Sequence, residues 1–307
     1  MVDRVFDDES FDRALTSGRA KVGVRVPPNY SDDLLSGRQA QVQVLIDGSD
    51  STVATTALNS ANLLGSAMST RIARGFADTL PNVPARDPVG RVAVPIEIRP
   101  RLLYNPDLER SRFFVPGLVG IIMQLVTLFL TSFAIVRERE QGTLEQLFVT
   151  PVGRAALLLG KMVPYAVIGG LEMLIVLNVM VFLFGVPIHG SLWLMFGLAS
   201  LFLVCALSLG LLVSTLAKTQ LQAMQFAFLF MLPSVLLSGF VFPREEMPWP
   251  LYGLSFAIPV TYFVEILRGV VLRGADFRDL LPQAIGLTVC CLLVLSVSLT
   301  RFRKQLA

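Results

Sequence analysis

The chain has 307 residues, of which 53% are hydrophobic and only 16% charged, and its mean hydropathy is +0.64. Ordinary soluble domains carry about 45–50% apolar and about 25% charged residues, so this balance argues against a cytosolic enzyme. Residues 1–112 hold 14 basic and 14 acidic side chains, whereas residues 113–307 hold 12 and 9, bunched between long uncharged runs. The formal charge of +3 therefore belongs to loops beside apolar segments. The basic stripe of a nucleic-acid partner is absent, and no such partner is expected. Cys205, Cys290 and Cys291 lie in apolar runs, with no spacing for a disulfide framework or a CxxC metal site. They read as small buried hydrophobes. His189 is the single histidine, in the turn Pro187-Ile188-His189-Gly190, so neither a metal centre nor a catalytic triad is expected.

Residues 1–112 read as a small α/β domain. Val22, Val24 and Val26 face one way with Lys21 and Arg25 the other, Val42, Val44 and Ile46 alternate with Gln43, Leu45 and Asp47, and Val92, Val94, Ile96 and Ile98 alternate with Ala93, Pro95 and Glu97. Period-two patterning of this kind predicts strands, and Pro95 predicts that the last is an edge strand. A short helix is expected over Tyr30 to Ser36, after Pro27-Pro28. A longer one over about 51–77 has Ala54, Leu58, Ala61, Leu64, Met68 and Ile72 on one stripe. Asp50 or Ser51 is its expected N-cap. Asp47-Gly48-Ser49-Asp50-Ser51 is better read as a capped strand-to-helix turn than as a metal or phosphate loop, because further ligands are lacking. No catalytic constellation is visible.

The remainder reads as membrane spans. A bilayer core of about 30 Å needs about 20 apolar residues in a helix, and five runs qualify: about 113–136, 162–186, 191–216, 220–242 and 280–300. The segment 247–264 is broken by Pro248, Pro250 and Pro259, each of which disfavours helix around it. A pair of half-helices dipping into the outer face is expected there. With residues 1–112 outside, the inner side carries Arg137, Arg139, Arg154, Lys161, Lys218, Arg301, Arg303 and Lys304, against Arg244, Arg268, Arg273 and Arg278 outside. The positive-inside bias thus favours an extracytoplasmic residue 1–112 domain and a cytoplasmic C-terminus, with Trp193 and Trp249 near the outer boundary. Met1-Val2-Asp3-Arg4 opens no apolar signal segment. Export of that domain therefore leads to the expectation of a preceding transmembrane helix absent from this chain.

Between the first two spans lies Arg137-Glu138-Arg139-Glu140-Gln141-Gly142-Thr143-Leu144-Glu145-Gln146-Leu147, then Phe148-Val149-Thr150-Pro151. The spacing predicts an amphipathic surface helix over about 138–150. Glu138, Gln141 and Glu145 share one face, Leu144, Leu147 and Phe148 another, and Pro151 ends it. Such a polar face suits a docking contact; the plainer reading is a solvated interfacial helix with weak Glu/Arg pairs.

This run, with Thr150-Pro151 and Gly160-Lys161 after it, resembles the signature of ABC type-2 export permeases. The branch it resembles has a large extracytoplasmic domain between its first two transmembrane helices. Gly239-Phe240-Val241-Phe242-Pro243, Pro259-Val260-Thr261-Tyr262-Phe263 and Arg268-Gly269 are similar to that family too. The resemblance covers essentially the whole chain. It implies an α-helical polytopic membrane protein with a small α/β extracytoplasmic domain (1–112) and a type-2 transmembrane domain (113–307). Five of the family's six helices would be here, with the first missing.

The resemblance further implies an inner-membrane, prokaryotic location, a second permease copy or paralogue in a homo- or heterodimer, and a separate ATP-binding cassette subunit. That subunit would dock on the coupling helix through Glu138, Gln141, Gly142, Thr143, Glu145, Leu147 and Pro151. By analogy, 247–275 would be the short outer-leaflet helices. No phosphate loop exists in the chain: Gly153 lies too far from Gly160-Lys161, and Met162 stands where Ser or Thr is needed. ATP and Mg are therefore expected on the partner, with no cofactor here.

Glu172 is the one acid in a span core. A charge there is costly unless paired or wetted. It reads equally as lining of a translocation path, with Gln225, or as a structural hydrogen bond to Asn178 or Gln225. Gln124, Asn178, Gln222 and Gln225 read as interhelical glue, and Glu265 with Arg268 as a local i, i+3 ion pair. The leading expectation is the permease of an ATP-driven exporter moving a hydrophobic or amphipathic substrate, drug-like or lipid, outward. The alternatives are a membrane-anchored extracytoplasmic binding or sensor protein, and a truncated non-functional permease.

Overall fold

The computed structural model describes residues 4–79, 85–142 and 154–304. The chain divides into two compact units, Met1–Arg110 and Ser111–Ala307.

The first unit runs α1 (Asp8–Thr16), β1 (Val22–Arg25), α2 (Tyr30–Leu35), β2 (Ala40–Asp47), α3 (Ser51–Thr79) and β3 (Ile96–Leu103). The sheet order is β1-β2-β3, with β2 antiparallel to β1 and parallel to β3. A parallel neighbour needs a crossover, and α3 supplies it, covering the face that carries Val44, Ile46, Ile98 and Leu102 with Ala54, Ala57, Leu58 and Ala61. Asp50 caps α3: its Oδ1 accepts from the amides of Thr52 at 3.0 Å and Val53 at 3.2 Å. The Asp47–Ser51 turn is thus a capped entry into a helix.

Three expectations shift. The third strand begins at Ile96, leaving Val92 and Val94 exposed. The register pairs Ala40 with Ile96, and Pro100 is tolerated inside β3 because β3 is an edge strand. On β1 the buried position is Gly23, beneath the Phe11 ring, while Val22 and Val24 are exposed. Along α3, Leu64 and Met68 face outward, and Gly65 and Ser69 take the sheet-facing positions. A Cβ on Gly65 would lie 2.9 Å from Ile98 Cδ1, and the Ser69 hydroxyl donates to the Ile96 carbonyl at 2.7 Å. The expected stripe holds for Ala54, Leu58 and Ala61, and beyond them small residues mark where the helix approaches the sheet. Helix α1, capped by Asp7 through the Ser10 amide at 2.8 Å, has no counterpart in the sequence pattern.

The second unit is helical: α4 (Arg110–Glu140), α5 (Arg154–Asn178), α6 (Leu192–Leu216), α7 (Gln220–Leu237), α8 (Trp249–Ser255), α9 (Pro259–Arg268) and α10 (Leu281–Lys304). Five helices among the described residues are long and apolar enough to cross a membrane, and α8 with α9 forms a sixth, bent pair with an 83° angle. The prolines act as helix starters: Pro250 and Pro259 sit in the first turns of α8 and α9, where the missing N–H costs nothing. Helix α9 runs into a wider turn, Gly269–Arg273, which ends at Gly274 with φ of 63°.

Helices α4 and α6 form the interior. Their apolar windows are 61% and 67% buried, against 22%, 17% and 28% for α5, α7 and α10. Phe202 of α6 stacks on Phe263 of α9 at 4.1 Å and 9°, deep in the core. Gly210 lets α6 approach α4 closely, since a Cβ there would lie 2.7 Å from Thr131 Cβ and 3.0 Å from the Leu128 carbonyl oxygen. Small residues at such crossings allow backbones to pack in lipid.

Candidate functional site: the end of helix α4 and the α4–α7 cleft

Helix α4 does not stop at the end of its apolar run. It continues through Glu138-Arg139-Glu140 and closes at Gly142, whose φ of 69° is the left-handed conformation of a helix terminus. The amides of Gln141 and Gly142 donate back to the carbonyls of Arg137 and Arg139. Residues 138–140 therefore belong to α4 rather than to a separate helix. Gln141 is exposed at its end, and Thr143, Glu145, Leu147 and Pro151 lie outside the described residues.

Each member of the charged triplet reaches a different helix. Glu138 accepts a hydrogen bond from Lys161 Nζ of α5. Arg139 Nη1 donates to the carbonyls of Ser214 at 3.0 Å and Ala217 at 2.8 Å, at the C-terminal end of α6. Glu140 accepts from the Gln220 amide at 3.0 Å and from its side-chain nitrogen, at the first residue of α7. The last carbonyls and first amides of helices lack internal partners, and a cation at a C-terminus or an anion at an N-terminus is favoured by the helix dipole. Thr219 and Gln222 complete the start of α7: the Gln222 amide donates to Thr219 Oγ1 at 3.2 Å, and Gln222 Oε1 accepts from the Lys218 amide at 2.8 Å. Beneath this polar layer Val136, Ala217 and Ala223 pack together with Phe226. Gln222 is thus a capping residue rather than interhelical glue.

Two turns or more before the triplet, α4 and α7 enclose a cleft of about 220 Å³ lined by Gln124, Leu125, Leu128, Phe129, Ala227, Phe228 and Met231. Gln124 is 1% exposed and donates through Nε2 to Ser234 Oγ at 2.8 Å. Gln124 does join two helices, as expected, but its Oε1 is buried with no partner among the described residues. A buried acceptor left unpaired costs about 1–3 kcal/mol.

Glu172 and Gln225 are not brought together. Gln225 lies exposed on α7. Glu172 faces α4, where the Thr127 hydroxyl stands 3.5 Å from its Oε2, a long contact for an O–H donor. Its Oε1 is buried with no partner among the described residues. Asn178 instead donates to the Leu174 carbonyl one turn back on its own helix, because a solvent- or lipid-facing amide finds its nearest acceptor within the helix.

The expected Glu265–Arg268 pair is replaced by longer-range contacts. Glu265 Oε1 accepts from Arg244 Nη1 at 2.5 Å, and its Oε2 from Gln283 Nε2 at 3.3 Å. The Arg244 guanidinium also donates to Ser255 Oγ at 3.2 Å and lies over the rings of Tyr252 and Phe256. Arg268 turns to the Gly239 carbonyl at 2.9 Å and covers the Phe113 ring at 3.7 Å. The three cysteines are free thiols, all buried. Among the described residues no group of three or more His, Cys, Asp or Glu is placed to hold a metal ion.

A bundle of five apolar helices of spanning length, a bent sixth pair and a separate α/β unit define a multi-pass membrane protein. Residues 1–300 match the model of the ABC-2 family transporter protein family, and the chain belongs to that family. It is 31% identical over 298 residues to the probable multidrug ABC transporter permease YbhS of Escherichia coli (strain K12), covering 95% of this chain and 75% of that protein. It is 31% identical over 287 residues to YbhR of the same strain, named likewise, covering 94% and 74%. Identity to the inner membrane transport permease YhhJ of that strain is 29% over 305 residues, 97% and 77% of the two chains. Membership places the chain in a membrane and implies an ATP-binding cassette partner.

Proposed function

We propose that the chain is the membrane-spanning permease of an ATP-driven exporter, moving a hydrophobic or amphipathic compound outward across the inner membrane of a prokaryote. The observation that carries this reading is the α4–α7 cleft, lined by apolar side chains apart from Gln124. Its chemistry suits a greasy molecule, drug-like or lipid. At about 220 Å³ the cleft is smaller than the roughly 300–1,000 Å³ that a drug-sized ligand fills. A second copy or a paralogue, facing the first, would supply the other half. The names of YbhS and YbhR, each a probable multidrug ABC transporter permease, favour the same substrate class.

ATP and Mg would be bound by a separate cassette subunit, docking on the stretch that begins at Gln141 and Gly142 and runs through Thr143, Glu145 and Leu147 to Pro151. The bias of basic residues puts that stretch and the C-terminus in the cytoplasm and residues 1–112 outside. Glu172 and Gln225, which do not meet in one site, have no place in the cleft as it stands.

The test is Ala227→Trp, which fills the cleft from the α7 side. Efflux of lipophilic amine dyes from cells producing the permease with its cassette subunit should fall to background, while membrane insertion and co-purification of the cassette subunit persist. Undiminished efflux would remove the cleft from the pathway.

A further inference from the structure

Glu138, Arg139 and Glu140 are consecutive, and consecutive positions on an α-helix point about 100° apart. Three adjacent residues therefore cover an arc wide enough to reach three neighbouring helices from one turn. That is how they are used: Glu138 toward Lys161 of α5, Arg139 toward the last carbonyls of α6, Glu140 toward the first amide of α7. Arg139 and Glu140 grip the Ala217-Lys218-Thr219 turn from its two sides, each with the charge sign that its helix end favours. Both acceptors of Arg139 are backbone carbonyls, so its contacts with α6 are indifferent to which side chains occupy positions 214 and 217.

We infer that this triplet is an intramolecular clamp that makes α4, α5, α6 and α7 move together at this end, and that it is not the face on which the cassette subunit docks. The inference rests on the permease reading above and refines it, since it divides the charged run in two. Residues 138–140 transmit inside the permease, and the docking surface begins after them. A displacement delivered beyond Gly142 reaches α7 directly through Glu140, and α7 is the wall of the cleft opposite α4. With both walls tied at this end, the cleft opens at its far end.

The experiment uses the intact permease with its cassette subunit. Arg139→Gln and Glu138→Lys should each co-purify the cassette subunit as the native protein does. Dye efflux should drop by about tenfold, within the range usual for coupling between sites, while ATP hydrolysis continues. Efflux should return in Glu138→Lys/Lys161→Glu, where the ion pair is rebuilt with reversed sign. Arg139→Lys, which keeps the charge and one donating nitrogen but on a shorter side chain, should fall between. Loss of the cassette subunit in Glu138→Lys, with no recovery in the double variant, would make Glu138 a docking residue and overturn the inference. So would normal efflux in Arg139→Gln.

A readout independent of transport separates this inference from the permease reading. In the permease alone, reconstituted in lipid nanodiscs, Arg139→Gln should speed amide hydrogen exchange across residues 216–222. Unchanged exchange there would refute the clamp even if export were demonstrated. Faster exchange in a protein that exports nothing would leave the clamp standing and refute the permease reading.

Discussion

Two charged clusters in the helical unit use the same residue types in opposite ways. At the end of α4 the charges are neighbours in sequence and diverge to three helices, with helix ends among their partners. Around Glu265 the charges come from distant positions and converge: Arg244 from before α8, Gln283 from α10, with Tyr252 and Phe256 covering the guanidinium. Accessibility is similar in the two ion pairs, 37% and 15% for Glu138 and Lys161 against 34% and 9% for Glu265 and Arg244, so what sets them apart is the pair of rings over the Arg244 guanidinium. Divergent charges at a surface join elements that can still shift; convergent charges under aromatic rings hold the bent pair α8–α9 in one place. The difference separates a joint from an anchor.

Breaking the anchor should have the largest effect. Arg244→Ala leaves the part-exposed Glu265 with Gln283 as its remaining partner among the described residues; removing one member of a fully buried pair typically costs about 3–5 kcal/mol, and the exposure of Glu265 lowers that figure. The expected outcome is a large fall in thermal stability and in monodisperse yield after detergent extraction. Arg244→Met with Glu265→Leu should recover much of it, because an apolar pair of similar volume carries no desolvation cost. If the double variant is as poor as the single one, the pair is needed for more than its mutual attraction.

The joint should respond less in stability and more in function. Arg139→Gln removes hydrogen bonds from a charged donor, worth about 1.5–3 kcal/mol, and should lower the unfolding temperature by less than Arg244→Ala does. Glu138→Lys acts on a part-exposed pair of the kind worth about 0–1 kcal/mol. It should leave thermal stability nearly unchanged while export falls. A stability loss equal to that of Arg244→Ala would make the two clusters the same kind of device.

The contrast also explains which features were legible in the sequence. The spans were, because a run such as Phe113 to Val136 without a charge has no other inexpensive solution in lipid. The break near Pro259 was legible because proline acts on its own backbone. Asp50 as a cap was legible for the same local reason. On α3 the stripe Ala54, Leu58 and Ala61 was legible as the sheet-facing side, whereas Gly65 and Ser69 further along were not, since they serve close approach, which a search for large apolar residues passes over. The partners of Glu265 and Arg268 were misread as each other because spacing within a helix sees only one turn. At the site, the charged triplet stood out but its use did not. The only signal was that the turn around Lys218 must leave the end of α6 and the start of α7 open, and a helix ending in alternating charges is able to close both.

The smallest expected effect compares two acids that serve helix starts. Asp7 caps its own helix, α1, through Ser10, whereas Glu140 caps α7 from another helix. Hydrogen bonds from the Ser10 side chain and then its amide hold the Asp7 carboxyl below its ordinary value of 3.8, although it is fully exposed. A carboxylate with a lowered folded pKa stabilises above the unfolded value and loses that contribution as pH falls through the folded one. Acidification below pH 3.8 should therefore loosen the first turn of α1, seen as faster exchange of the Ser10 amide, without moving the global unfolding temperature. Asp7→Ala should do the same at neutral pH and leave α7 untouched. Glu140→Leu, by contrast, should raise exchange at Gln220 and also weaken the hold of α4 on α7, because a cap lent by one helix to another carries the contact between them as well as the helix start. Equal, purely local effects from the two substitutions would show that Glu140 is an ordinary cap and would take α7 out of the clamp.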